Sequence, residues 1–170
     1  MNGFKQIDPS TINDNFIKLI GSDWMLITAG DHTSHNTMTA SWGTVGYMWN
    51  RPVAMAVVRP QRYTYEFTER EQAMTLSFFD EKWRDALTYC GSHSGRDGEK
   101  IFNAGLSVTF TDSDVPAIAQ ARLVLECKKL YVDDMREGCF LDPSIAQKWY
   151  PSKDFHRIYM MEITAAYIKE

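Results

Sequence analysis

The segment His35 to Gly43, HNTMTASWG, crowds small hydroxyl and amide side chains beside a Met and a Trp. In an extended chain Thr39 and Ser41 face one way and Met38, Ala40 and Trp42 the other, so one strand offers a ligand both hydrogen-bonding groups and apolar surface. Small side chains also let backbone N–H groups approach a ring edge closely. The same composition also suits an ordinary strand, because Thr and Trp favour sheets.

A second segment, Val58 to Phe67 (VRPQRYTYEF), ends an apolar run at Arg59, breaks it at Pro60 and begins a helical turn. Arg59, Arg62, Tyr63 and Thr64 then share one corner. Two guanidinium groups, a hydroxyl and free N–H groups at a helix start can hold a phosphate through charge-assisted hydrogen bonds, although solvated loop arginines have the same appearance. The glycine-rich stretch Cys90 to Lys100 (CGSHSGRDGEK) reads as a surface loop in which Ser94, Arg96 and Lys100 can meet an anion or substrate, or as a plain linker.

Tyr150 to Ile163 sets His156 two residues after Asp154, at the entrance to a long apolar run. His32, His35, His93 and His156 show no HxH or HExxH spacing, so no metal site is expected. Nothing near Cys90 supplies a fixed base, so no residue is assigned a catalytic role.

Elements that position these groups are legible from the apolar pattern. Ser10 or Thr11 is a plausible N-cap for a helix carrying Ile12, Phe16, Ile17, Leu19 and Ile20, with Gly21 as its stop. Short runs at Trp24–Ala29, Thr37–Trp42, Val53–Arg59 and Met74–Phe79, and longer ones at Arg122–Val132 and Arg157–Ile168, predict a sheet of about six strands. Helical patches fall at Tyr63–Thr68, Glu81–Cys90, Glu99–Ala104 and Ser144–Trp149. Few of them alternate with strands as a doubly wound sheet requires, so the expected fold is mainly β, an antiparallel barrel with flanking helices. The dinucleotide fingerprint GxGxxG is absent.

At 170 residues the expectation is one domain over 1–170, with a core that needs neither disulfide nor metal. A net charge of −4 gives no positive field for nucleic acid. Cys90, Cys127 and Cys139 are odd in number and widely spaced, which predicts free thiols and a cytoplasmic location. No run is long enough to span a bilayer, so no membrane is expected as a partner.

Taken jointly and in order, NTMTASWG, NRPVAMAVVRPQRYT, SGRDGEKI with the following AGL, ARLVLECKKLY and DFHRIYMMEI resemble the flavoredoxin branch of the flavin reductase-like family, from about Trp24 to Ile163. The resemblance implies an FMN-binding split barrel of greek-key type, as a homodimer with cofactor sites near the subunit interface. By position it implies that Asn36, Met38, Thr39, Ala40, Ser41 and Trp42 border the isoalloxazine and ribityl chain. Arg59, Arg62, Tyr63 and Thr64 are then expected to hold the phosphate end, while Ser94, Gly95 and Lys100 close the site.

Family members include NAD(P)H-dependent flavin reductases, with NADH or NADPH as transient co-substrate passing hydride to flavin N5, and electron carriers reduced by a protein partner. Hydroxyls and backbone N–H groups around Thr39 and Ser41 would favour the charge of reduced flavin. A cofactor-free small-molecule module is the third alternative, since aromatic residues at 13% also suit a generic apolar pocket.

Overall fold

The computed structural model describes residues 1–170. In chain order its strands are β1 (Phe4–Ile7), β2 (Met25–Gly30), β3 (His35–Ala40), β4 (Gly43–Met48), β5 (Arg51–Val58), β6 (Ala73–Phe78), β7 (Val108–Phe110), β8 (Pro116–Ile118), β9 (Leu123–Asp134) and β10 (Arg157–Lys169). The helices are α1 (Phe16–Lys18), α2 (Thr64–Arg70), α3 (Arg84–Ser92), α4 (Lys100–Asn103) and α5 (Pro143–Trp149). No helix is long and apolar enough to cross a membrane.

Eight strands form one antiparallel sheet in the order β3-β2-β6-β9-β10-β5-β4, with β1 added to β10, and β7 and β8 form a separate ribbon. Along one edge of β10, β5 pairs with Arg157–Glu162 and β1 with Ala166–Lys169. The sheet is antiparallel as expected, but its path ends at β3 and β4, which do not pair with each other, so hydrogen bonds do not close it into a barrel. Ser41 and Trp42 carry the chain across that seam.

Both faces of the central strands are covered, which is why they read as nearly continuous apolar runs. On β2, Met25, Ile27 and Ala29 join a core with Leu76, Phe78, Leu125 and Met161, whereas Leu26 packs the other way with Leu87, Ile118 and Val124. A bulge between Ile163 and Ala165 changes the parity of β10, turning Ile163 and Ala166 to the first core and Ala165 and Tyr167 to the second. Thr164, the inserted residue, donates to the Glu126 carbonyl at 3.3 Å.

Near the N-terminus the expected helix is mostly absent. Asp8 caps a 3-10 turn at Pro9–Thr11, Asn15 caps α1, and Leu19–Asp23 follows as a π-helical turn with Gly21 inside it rather than ending it. The apolar spacing there serves packing rather than a continuous α-helix: Leu19 and Ile20 are buried, but Ile17 is 88% exposed.

Helix α2 is fixed from its C-terminal end. Lys129 Nζ donates to the Thr68 and Glu69 carbonyls at 2.8 and 3.3 Å, which satisfies acceptors that the helix leaves open and places a cation at the negative end of its dipole. Glu69 accepts from the buried Tyr159 hydroxyl at 2.7 Å and from Arg157 Nε at 2.8 Å. The opposite end of α2 is thereby held in a fixed place beside β3. Tyr159→Phe is expected to lower stability by about 1–2 kcal/mol in urea denaturation, because Glu69 loses a charge-assisted bond and the buried Thr68 hydroxyl loses its side-chain partner.

Candidate functional site

Two hollows meet at Arg62. The first, about 200 Å³, is walled by Met38, Thr39, Ala40, Ser41 and Trp42 at the seam, Val57 and Arg59 from the end of β5, and Trp149 and His156 from the long connection between β9 and β10. The second, about 170 Å³, is polar and lined by Gln61, Arg62, Tyr63, Gly91, Ser92, His93, Ser94 and Lys100. A larger cleft of about 600 Å³ lies between α1 and α3 with Asp14, Asp23, Arg84 and Arg122 in its walls, and shares no residue with either hollow. Its cations are already engaged: Arg122 pairs with Asp14, Lys18 with Asp23, and Arg84 donates to the Ser22 and Asp23 carbonyls.

Strand β3 behaves as its alternation predicts. Met38 and Ala40 enter the core, while Thr37 and Thr39 turn to the strand's other face, Thr37, fully buried, to within 2.9 Å of the Thr28 hydroxyl and Thr39 to the Leu87 carbonyl of α3. Thr39 therefore spends its proton on the fold and is not a free donor for a ligand. Ser41, beyond the end of the strand, has no protein partner in the wall of the first hollow.

Asn36, Thr64 and Gly95 line neither hollow but hold the second one together. The buried Asn36 amide donates to the Thr64 hydroxyl at 2.8 Å, joining β3 to the first turn of α2. Gly95 presses against the same pair of elements: a Cβ there would overlap Asn36 Oδ1 and come within 3.1 Å of Tyr63 Cδ1. Arg96, a candidate for anion contact, turns instead onto the Tyr63 ring at 4.6 Å and pairs with Glu66, clasping the loop to α2.

The charges of the second hollow set its chemistry. Lys100, the first residue of α4, is 5% exposed, and its ammonium makes no hydrogen bond or ion pair with the protein. Burial, aided by Arg62 and opposed by Cys90, lowers its pKa to about 8. Arg62 donates only to the Gly91 carbonyl, at 3.2 Å, and has no acidic partner; burial lowers its pKa too. Burial also pushes the Cys90 thiol up to about 11, so it stays neutral and cannot serve as their counter-ion. A buried Lys100 and a half-buried Arg62 without an anion make a site that an incoming phosphate or carboxylate would complete.

Arg59 differs. It pairs with Asp154 and donates to the Trp149 carbonyl at 2.8 Å, so it stands in the wall of the first hollow with its charge matched by an acid. His156 is buried, with Nδ1 2.8 Å from the Tyr150 hydroxyl and its ring centre 5.2 Å from that of Trp42. Burial, then the nearby Arg59 charge, lowers its pKa to about 4, so it is neutral at pH 7. Trp149 meets Trp42 edge to face at 5.1 Å. Sequence reasoning missed Val57 and Trp149 as wall residues; Trp149 carried a weak signal as a large aromatic ending a short helical patch.

A family model described as flavin reductase like domain matches residues 18–170. No curated protein matches the chain in sequence. Among solved structures, an FMN-binding domain of a flavin reductases-like enzyme from Shewanella baltica superposes with a TM-score of 0.71 at 18% identity, over 99% of this chain and 78% of that one. Flavoredoxin from Methanosarcina acetivorans gives 0.67 at 21% identity, over 87% and 69% of the two chains. An FMN-binding protein from Thermus thermophilus, solved with bound p-hydroxybenzaldehyde, gives 0.65 at 20%, over 84% and 69%. At these identities the likenesses show a shared fold.

The lowered pKa of Lys100 has a sign that can be tested without ligand. Its folded value of about 8 lies below the ordinary 10.5, so folding carries a penalty that is full below pH 8 and fades between pH 8 and 10.5. Lys100→Met is therefore expected to raise stability by about 2–3 kcal/mol at pH 7 and by little above pH 10.5, read as urea midpoints across pH.

Proposed function

Because this chain belongs to the flavin reductase-like family, we propose that it binds FMN, with the isoalloxazine against Met38–Trp42 and the phosphate between Arg62 and Lys100. The observation that carries the reading is a buried Lys100 and a half-buried Arg62, both without an acidic partner, in a polar hollow that adjoins a more apolar one at Arg62. A planar ring system with a phosphate tail matches that order of environments. Held there, FMN would supply redox chemistry, with NADH or NADPH as the proposed transient co-substrate.

Each residue then has a stated task. Arg62 and Lys100 neutralise the phosphate, the Ser94 and Tyr63 hydroxyls lie in the same wall, and Met38 and Ala40 give the ring an apolar seat. Ser41 supplies a free hydroxyl at the seam, the donor left for a ring carbonyl once Thr39 is bound to Leu87. Neutral His156, held through Nδ1 by Tyr150, lines the first hollow as a polar group that carries no charge. Asn36, Thr64 and Gly95 support these groups rather than touch the ligand.

A carrier reduced by a protein donor is the second reading. It is favoured by an exposed apolar stripe beside the pocket, in which Leu141, Ile145 and Trp149 are spaced four residues apart. Anaerobic NADH or NADPH separates the two, since a reductase should lose its yellow absorbance with one of them and a carrier should keep it with both. We further propose a homodimer formed through the β4–β5 hairpin. Its tip exposes Tyr47, Met48 and Trp49, and Trp49 is held at φ 52°, a left-handed conformation that costs a bulky residue about 1–2 kcal/mol. Sedimentation equilibrium is expected to return twice the monomer mass, and the monomer mass for Tyr47→Ser combined with Trp49→Gly.

The cofactor assignment is tested by titrating FMN and riboflavin in parallel. Wild type is expected to prefer FMN, and Arg62→Met or Lys100→Met to weaken FMN by about 10- to 100-fold with riboflavin unchanged, the size of one charge-assisted contact. FMN affinity should also fall as pH rises through about 8, where unliganded Lys100 loses its proton. Equal affinities for the two flavins in wild type would remove the phosphate site.

A further inference from the structure

Residues 135–156, the connection from β9 to β10, form a strap that brings Trp149 and His156 into the wall of the first hollow. One guanidinium grips it at three points. Arg59 pairs with the Asp154 carboxylate, donates to the Trp149 carbonyl at 2.8 Å, and sits 5.2 Å from the centre of the Tyr150 ring. Gln61 adds a bond to the same Asp154 oxygen at 2.6 Å, while Asp154 Oδ1 is buried without a partner. The pair is mostly buried, with side chains 26% and 20% exposed, so neither charge is well solvated if its partner is lost.

Spacing alone makes Arg59 and Arg62 look like two arms of one phosphate clamp. Their surroundings separate them: Arg62 has no acidic partner and borders both hollows, whereas Arg59 borders only the first and has an acid of its own. We propose that Arg59 and Asp154 are positioning residues that latch the strap onto the end of β5, keeping Trp149 and His156 beside the flavin ring, and that Arg59 does not contact the phosphate. This rests on the FMN reading and adds to it a part of the site that acts on the ring end alone.

The latch predicts an effect blind to the phosphate. In the full chain, Arg59→Met and Asp154→Asn should weaken FMN and riboflavin by the same factor, about 5- to 30-fold, through faster dissociation. Arg59→Lys, which keeps the charge but not the fork, should fall between wild type and Arg59→Met. Loss of FMN affinity with riboflavin unchanged would make Arg59 a phosphate ligand and overturn the proposal, as would unaltered dissociation of both flavins from the folded variants. If Arg59→Met does not fold, Asp154→Asn decides by the same criterion.

A flavin-free readout keeps the latch distinct from the cofactor assignment. Limited trypsin digestion of the ligand-free proteins should cut after Lys148 about tenfold faster in Asp154→Asn than in wild type, with the chain outside the strap equally resistant. Equal cutting rates would overturn the latch even if FMN binds. Failure of wild type to bind either flavin, with faster cutting in the variant, would overturn the FMN reading and leave the latch standing.

Discussion

A buried lysine beside a half-buried arginine, with no acid next to either, is costly, and the rest of this structure is arranged around that cost. Lys100 and Arg62 stand within a chain of net charge −4, yet none of its 22 acidic residues pairs with either. Elsewhere the protein pairs its partly buried arginines readily, as Arg59 with Asp154 and Arg122 with Asp14 show. The missing acid at Arg62 and Lys100 is therefore a local feature of the fold, and the fold is less stable for it until an anion arrives.

The supporting contacts explain how the arrangement survives. Helix α2 is tied to β9 and β10 by Lys129, Arg157 and Tyr159, which fixes the turn that carries Arg62. The loop before α4 is pressed onto that turn by Gly95 and clasped by Arg96, which fixes Lys100. At the other end of the groove the sheet leaves a seam between β3 and β4, and a strap from the β9–β10 connection stands over it. Rigid strands thus hold the ring end, and loops bound to a short helix hold the anion end.

Much of this was legible in the residues, and the failures have physical causes. Strand Met25–Gly30 was found because burial on both faces leaves an apolar run, and Leu123–Asp134 because apolar residues recur along it even where its second half is exposed. Strand β4 was missed because it is an exposed edge with two glycines, and β1 because its four residues alternate too briefly to register. Around Phe16 the apolar spacing pointed to a helix, but tertiary packing wound Leu19–Asp23 into a π-helical turn. Among site residues, Met38, Ser41, Trp42, Arg62 and Lys100 stand in the walls of the hollows, whereas Asn36 and Thr64 bond to each other behind them. Residue type and spacing cannot reveal such pairing, and the same blindness made Arg59 look equivalent to Arg62, since Asp154 lies 95 positions away.

The most direct test of the account is a crystal structure of the chain grown with FMN. The expected result is a phosphate within hydrogen-bonding distance of both Arg62 and Lys100 Nζ, with the ring lying against Met38–Trp42. A phosphate bound anywhere else, or a hollow that stays filled by protein side chains at saturating FMN, would contradict it.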